Sequence, residues 1–414
     1  MGMANMIEKE TRYRWLVIIS GLLIIMCLGV AYSWGVFLMP IANEFNWGRG
    51  ETSLAVSILL LVFSVFMVIG GMCEKRYGPK VTATLGGVLM CSGWVLSYFT
   101  KSLLWLYITY GVLAGIGTGL GYLPSISTGI KWFPEKRGLV TGIVISGFGF
   151  GSAFLAPLAA RFIEIYGWRI TMLIYGIGFG TIIITAAQFL KTPPKNWRPC
   201  DRKSSENSDK HIFTRDFSPV EMLKTSEFKL IFLTYLLSMT AGMMIITHIV
   251  AFASDIGYTT IQSAFILTIL AIANGLGRIM FGIISDKFGR IKILTMLFGF
   301  IGISMLLLYY INSILSLSVI VFMIGICFGG FLSVYPPTTA DYFGTKNFGI
   351  NYGLVFLGYG AGCFIGPWLG GTAQDITGNY LVSFTTAGIL ALVGGAIIYL
   401  FLKPPVIPIA IRSN

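Results

Sequence analysis

Charge is scarce in this sequence. Lys, Arg, Asp and Glu make up 11% of the 414 residues, against about a quarter in an ordinary soluble domain, too few to clothe a soluble core of this length. Histidine occurs twice, at His211 and His248, and neither an HExxH nor a GxSxG pattern is present, which removes the usual hydrolytic centres and any enzyme reading built on them. The six cysteines, Cys27, Cys73, Cys91, Cys200, Cys327 and Cys363, show no paired or CxxC spacing, so neither a disulfide framework nor a metal site is expected. The net charge of +12 lies on no soluble domain or basic stripe, which argues against nucleic acid. What is abundant is apolar residues, 55%, and glycine, 51 in number. That composition predicts an all-α membrane protein.

Twelve apolar runs are long enough to cross a hydrocarbon core about 30 Å thick. They are approximately 15–40, 53–73, 81–98, 103–129, 139–163, 170–190, 230–254, 261–285, 293–310, 315–335, 352–371 and 380–402. The first is too long, and lacks a small-residue cleavage site, to read as a removed signal peptide. A polar stretch with Pro193, Pro194, Pro199 and Pro219 parts six runs from six, giving an N-terminal bundle over 1–190, a linker over 191–226 and a C-terminal bundle over 227–414. With both termini on one side, that side holds 24 of the 29 Lys and Arg, and the other only Arg49, Lys101, Arg161 and Arg169. The excess places both termini in the cytoplasm of a multi-pass protein of the cell membrane.

The halves repeat in the same orientation, as two bundles related by an axis along the membrane normal do. Gly282-Ile283-Ile284-Ser285-Asp286-Lys287-Phe288-Gly289-Arg290, after the eighth run, corresponds to Gly71-Met72-Cys73-Glu74-Lys75-Arg76-Tyr77-Gly78-Pro79-Lys80 after the second. Trp132-Phe133, followed by Gly142, Gly147, Gly149, Gly151 and Pro157, corresponds to Tyr342-Phe343, followed by Gly353, Gly358, Gly360, Gly362 and Pro367. The glycines suit close helix packing and sliding. A turn carrying an acid and cations suits a conformational switch built on Gly282, Asp286, Gly289 and Arg290 in one half and Gly71, Lys75 and Gly78 in the other.

Gly-x-x-x-Asp-Lys-x-Gly-Arg at 282–290 resembles the loop signature of the major facilitator superfamily, and the first-half copy departs from it in having Lys75 where an acid is usual. The resemblance covers essentially the whole chain and implies twelve transmembrane helices in two pseudo-symmetric six-helix bundles. Tyr32-Ser33-Trp34-Gly35-Val36-Phe37, Trp132-Phe133-Pro134-Glu135-Lys136-Arg137-Gly138 and Arg278 are similar to the branch that holds the monocarboxylate transporters and the oxalate/formate antiporters, in particular to bacterial homologues of the lactate-carrying kind.

Arg278 lies eight residues before Asp286, about 12 Å of helix from the turn. A guanidinium at such depth costs at least about 2.5–3.5 kcal/mol on insertion scales, and the eighth run contains no acid to offset it. An anionic substrate is then the expected partner, since a guanidinium grips a carboxylate with two parallel hydrogen bonds. Asn274, one turn away, shares its face. In the resembled transporters an Asp is common at that position, so no proton role passes to Asn274. Tyr122, Tyr335, Tyr359 and Cys363 are polar-tipped candidates for the rest of the site, and Leu28 and Ile145 for an apolar wall; ordinary packing is the alternative for each. His248 and Asp255 are candidate proton sites beside Arg278, with a packing histidine and a solvated acid as their alternatives. Relatives that move the oxalate dianion carry a second cation, a Lys, in the eleventh helix; the equivalent here is about Tyr359, which implies a single negative charge on the substrate. The expected activity is proton-coupled symport of a small monocarboxylate, L-lactate foremost and pyruvate next, by alternating access in a monomer that needs no cofactor. Formate/oxalate-type antiport is the alternative, and a non-transporting carboxylate sensor a more distant one.

Overall fold

A computed structural model describes residues 2–133, 137–193, 216–311, 313–344 and 347–403. Most of the linker expected at 191–226, with Cys200 and His211, lies outside the described residues, as do Pro134, Glu135 and Lys136. The membrane-crossing helices are α1 (Tyr13–Phe45), α2 (Arg49–Tyr77), α3 (Pro79–Ser97) and α4 (Leu103–Trp132), then α5 and α6 (137–166 and 168–187). The second half contributes α7 (Ser226–Asp255), α8 (Thr260–Phe288), α9 (Arg290–Leu307), α10 (Ile314–Phe343), α11 (Phe348–Thr377) and α12 (Tyr380–Phe401). α5 and α6 form one continuous helical trace broken only at Gly167, whose φ of +80° turns the chain back; glycine adopts that conformation at no steric cost. By length and composition ten of the helical stretches among the described residues are apolar enough to cross a membrane, α5 and α6 counting as one, and α3 is not among them, having Thr82, Thr84, Gly86, Gly87, Ser92 and Gly93 along its length. Its small and polar residues pack toward its neighbours, and Val81, Leu85 and Val88 form the apolar stripe that it leaves exposed.

The repeat is visible atom by atom. A Cβ at Gly149 of α5 would stand 3.2 Å from Asn274 Oδ1 and Gly275 N of α8, and one at Gly360 of α11 would fall against Ser64 of α2. Gly151 faces the Met26 carbonyl of α1 and Gly362 the Leu236 carbonyl of α7, both so closely that a Cβ would clash. Equivalent glycines thus let α5 pack on α1 and α8, and α11 on α7 and α2. The four contacts include two of the helix pairs that join the halves, α5/α8 and α2/α11; α1 also meets α7, where a Cβ on Gly35 would stand 2.9 Å from the Thr247 carbonyl.

The aromatic pairs repeat in role as well. Trp132 Nε1 donates to the Lys191 carbonyl at 2.6 Å, and the Tyr342 hydroxyl to the Lys403 carbonyl at 2.5 Å, each satisfying a free carbonyl just past the last helix of its half. Tyr13 also donates to the Phe189 carbonyl. The beginning and end of the described chain therefore lie on one face, here called the terminus face.

Two local irregularities aim side chains inward. α1 tightens into a 3₁₀ stretch at Gly29–Ser33, where a Cβ on Gly29 would overlap the Phe148 carbonyl of α5; the tightened turn carries Tyr32 toward the middle of the molecule. α4 contains a wide π-type stretch at Tyr107–Leu113. Such interruptions often mark functional positions in a helix.

Candidate functional site

α8 is started by a reciprocal cap, Thr259 with Gln262, and stopped by Gly289 at φ +90°. Arg278 sits well inside it, 6% exposed, with Asn274 fully buried one turn before. Arg278 Nε donates to Asn274 Oδ1 at 2.9 Å and Nη1 to the Ile145 carbonyl of α5 at 2.9 Å. The second contact crosses from one half of the molecule to the other. Among the described residues no carboxylate forms an ion pair with Arg278. Because Asn274 occupies Nε, the edge of the guanidinium open to a carboxylate is the Nη1–Nη2 edge, and its Nη1 is shared with a backbone carbonyl. Asn274 Nδ2 is buried without a partner, an unspent donor beside the cation.

Arg278 borders a cavity with room for about 30 Å³, enough for a water molecule and well short of a ligand pocket, so a substrate enters only when the halves part. Its walls come equally from both halves: Tyr32, Phe63, Tyr122, Ile145 and Phe148 from the first, and Arg278, Leu332, Tyr352, Phe356 and Tyr359 from the second. Arg278 is the only Lys, Arg, Asp or Glu among them. Phe63 is the hub of the aromatic wall, with ring centroids 5.1 Å from Tyr122, 6.2 Å from Phe148, 5.9 Å from Phe356 and 6.1 Å from Tyr359. The hydroxyls of Tyr32 and Tyr359 hydrogen-bond at 3.1 Å across the halves. One cation, several hydroxyls and a surround of rings suit a small anion with an apolar end.

Of the residues singled out in the sequence, Arg278, Tyr122, Ile145 and Tyr359 line this cavity and Asn274 holds the guanidinium. Cys363 is buried one turn from Tyr359. Tyr335 stacks on Tyr235 at 4.1 Å, and Leu28 packs over Gly121. These three stand outside the lining. His248 lies apart, fully buried, with Nε2 2.7 Å from the Pro367 carbonyl and Nδ1 3.1 Å from the Tyr380 hydroxyl. A carbonyl can only accept, so Nε2 carries the hydrogen and a neutral ring accepts at Nδ1 from Tyr380. Asp255 pairs with Arg49 on the face away from the termini.

The loop residues divide by half. Arg290 bonds to Asp286 at 2.6 Å, to Asp341 of α10 at 3.2 Å and to Ser285 Oγ at 2.6 Å, while Gly289 and Gly78 both take positive φ. In the first half the ion pair falls on Glu74, not on exposed Lys75: Glu74 is buried, accepts from Ser127 and pairs with Lys131 of α4 at 2.6 Å. The polarity is reversed between the copies, acid on α2 with cation on α4 in one, and cation at the start of α9 with acid on α10 in the other.

Sequence reasoning passed over Phe63, Phe148, Leu332, Tyr352 and Phe356 as site residues. Tyr32 alone had a signal, its place in the Tyr-Ser-Trp-Gly run of α1.

The sequence matches the Major Facilitator Superfamily over residues 19–335 and 231–412. It is 27% identical over 354 residues to YhjX of Escherichia coli K12, an uncharacterised transporter of that type, covering 85% of this chain and 86% of that one. It is 27% identical over 365 residues to the oxalate:formate antiporter of Oxalobacter formigenes, covering 86% and 84%, and 26% identical over 392 residues to monocarboxylate transporter 12 of Xenopus laevis, covering 90% and 85%. In three dimensions it is similar to a bacterial homologue of the human lysosomal transporter Spinster, solved inward-facing and unoccupied. The TM-score is 0.73 at 15% identity, over 94% of this chain and 96% of that one.

Proposed function

Because the chain belongs to the Major Facilitator Superfamily, and is thereby a multi-pass membrane transporter, we propose that it carries a small monocarboxylate, L-lactate foremost and pyruvate next, together with a proton, by alternating access about Arg278. The observation that supports this most is a buried guanidinium without a carboxylate partner among the described residues, on the wall of a cavity shared equally by the two halves. Relatives named as monocarboxylate transporters and as an oxalate:formate antiporter are consistent with a carboxylate cargo.

The substrate carboxylate takes the Nη1–Nη2 edge of Arg278 and replaces the Ile145 carbonyl at Nη1. Asn274 keeps Nε and offers Nδ2 to a carboxylate or hydroxyl oxygen. Tyr122 and the Tyr32–Tyr359 pair bound the polar end, while Phe63, Phe148, Phe356 and Ile145 surround the methyl end. Tyr335, Cys363 and Leu28 back this lining from behind. Loading neutralises the buried cation and lowers the electrostatic cost of moving the halves around it. A proton travels with the anion because inward movement of a lone anion against a negative interior costs about 2.3 kcal/mol per 100 mV, and 1:1 symport moves no net charge. His248 is the candidate for that proton: buried, near the junction of the halves, and 3.5 Å from Ser53 Oγ of α2. Gly78 and Gly289 form the turns about which helix ends rearrange, flanked by Gly71 and Lys75 on α2, Gly282 and Asp286 on α8, and Arg290 at the start of α9. Both termini lie in the cytoplasm, the protein resides in the cell membrane, and the monomer is the working unit.

The test is uptake of labelled L-lactate into proteoliposomes containing the purified protein. Uptake is expected to rise when the outside is acidified, to collapse with a protonophore, and to be competed by pyruvate but weakly by oxalate, whose second charge finds no second cation. Lactate exchange that ignores the proton gradient and is competed equally by oxalate would support antiport instead.

A further inference from the structure

One cation closes the face away from the termini. Arg49, the first residue of α2, donates through Nη1 and Nη2 to both carboxylate oxygens of Asp255 at the end of α7, at 2.5 and 2.8 Å. Asp375 of α11 accepts from the Arg49 and Gly50 amides at 2.9 and 2.8 Å, satisfying free donors at the positive end of α2. The ring of Tyr380 of α12 stands 5.4 Å from the Arg49 guanidinium. Three helices of the second half thus converge on the first turn of one helix of the first. The backbones also meet here, since a Cβ on Gly371 would lie 2.6 Å from Gly50 N and Cα. A second helix pair joining the halves, α5 and α8, has beyond Arg278 the bond from Thr268 Oγ1 to the Ala153 carbonyl at 3.2 Å, and no ion pair among the described residues.

We propose that Arg49, Asp255 and Asp375 form the lock that shuts this face in each transport cycle, and that Asp255 belongs to the lock and does not carry the proton. The proposal rests on the alternating-access reading above and takes Asp255 out of the set of proton sites considered from sequence. The direction of the effect decides between the two roles. A proton that travels with substrate must favour closure of the side it came from, because the loaded carrier is the one that has to shut. Protonating Asp255 does the opposite: it removes the partner of a guanidinium that is only 16% exposed, and a buried cation without its partner opposes closure. The charged and titratable groups facing Asp255 are Arg49 from α2, Tyr380 from α12 and Asp375 from α11, with His248 two turns back on α7 itself. None reverses that direction, since Arg49 is the one cation among them and Asp375 is bound to the α2 amides.

The lock predicts accessibility directly, with no substrate involved. Ser57 of α2 is fully buried and lies one turn below Ser53 on the same side of the helix. Ser57→Cys, in otherwise native protein in lipid nanodiscs, is treated with a bulky hydrophilic maleimide, and alkylation at position 57 is read by peptide mass spectrometry. Asp255→Asn, which removes the ion pair to Arg49, and Asp375→Asn, which weakens the hold on the Arg49 and Gly50 amides at the positive end of α2, each combined with Ser57→Cys, are expected to raise the initial labelling rate about threefold. Labelling no faster than the parent in both variants, each monodisperse, would overturn the lock whatever the protein transports. In proteoliposomes, Asp255→Asn is expected to keep its dependence on the proton gradient. Loss of that dependence with unchanged labelling would assign the proton to Asp255 and overturn the proposal.

Discussion

Asn274 fixes which edge of Arg278 is offered to a ligand. Asn274→Ala releases Nε and lets the guanidinium rotate, so KM for lactate is expected to rise roughly tenfold, the worth of one hydrogen bond to a charged group, with a smaller change in kcat; steady-state uptake checks this. Arg278 was legible in the sequence because a permanent charge inside an apolar helix stands out against its surroundings. Phe63 and Phe356 were not, because an aromatic residue in a crossing helix reads the same whether it faces lipid, a neighbouring helix or a cavity. Only the angular position of the helix separates those cases. The same lack of phase explains Lys75. One residue of displacement turns a helix by about 100°, and that step separates a buried Glu74 paired with Lys131 from an exposed lysine beside it.

At the scale of the element, α8 is held where it is by glycines. A Cβ on Gly277 would stand within 3 Å of three Ile326 backbone atoms of α10, whereas one on Gly282 would meet only Ser333 Cβ at 3.9 Å. Gly277→Ala is therefore expected to cost about 1–3 kcal/mol as an overpacked site, and Gly282→Ala to be neutral or slightly stabilising, since alanine favours the helix by about 0.5–1 kcal/mol. Thermal unfolding in detergent, followed by loss of monodispersity, checks the pair. Equal melting temperatures would show that α8 can shift away from α10 without penalty. Sequence could mark these glycines as repeated but could not rank them, because the ranking depends on which backbone lies opposite.

For the whole molecule, twelve crossings and a two-fold internal repeat were readable from hydropathy and spacing. The pairing of halves was not, since α2 with α11 and α5 with α8 are joined by contacts more than a hundred residues apart. Arg49 and Asp255 illustrate this: each looks like a solvated acid or base at a helix end, and only the closed assembly brings them together. The proposed lock also makes a prediction for the assembled protein. Asp375→Asn weakens closure of the face away from the termini without touching the cavity, so exchange of lactate is expected to slow while equilibrium binding of lactate stays within about twofold of native.

Arg278 carries the functional account, and the most direct measurement is paired binding and uptake of L-lactate by native protein and Arg278→Ala. Both proteins are purified, shown to be monodisperse and reconstituted under the same inward proton gradient. The account predicts saturable binding and uptake in the native protein and loss of both, at least about a hundredfold, in Arg278→Ala. Lactate uptake by Arg278→Ala at a rate close to native would contradict it.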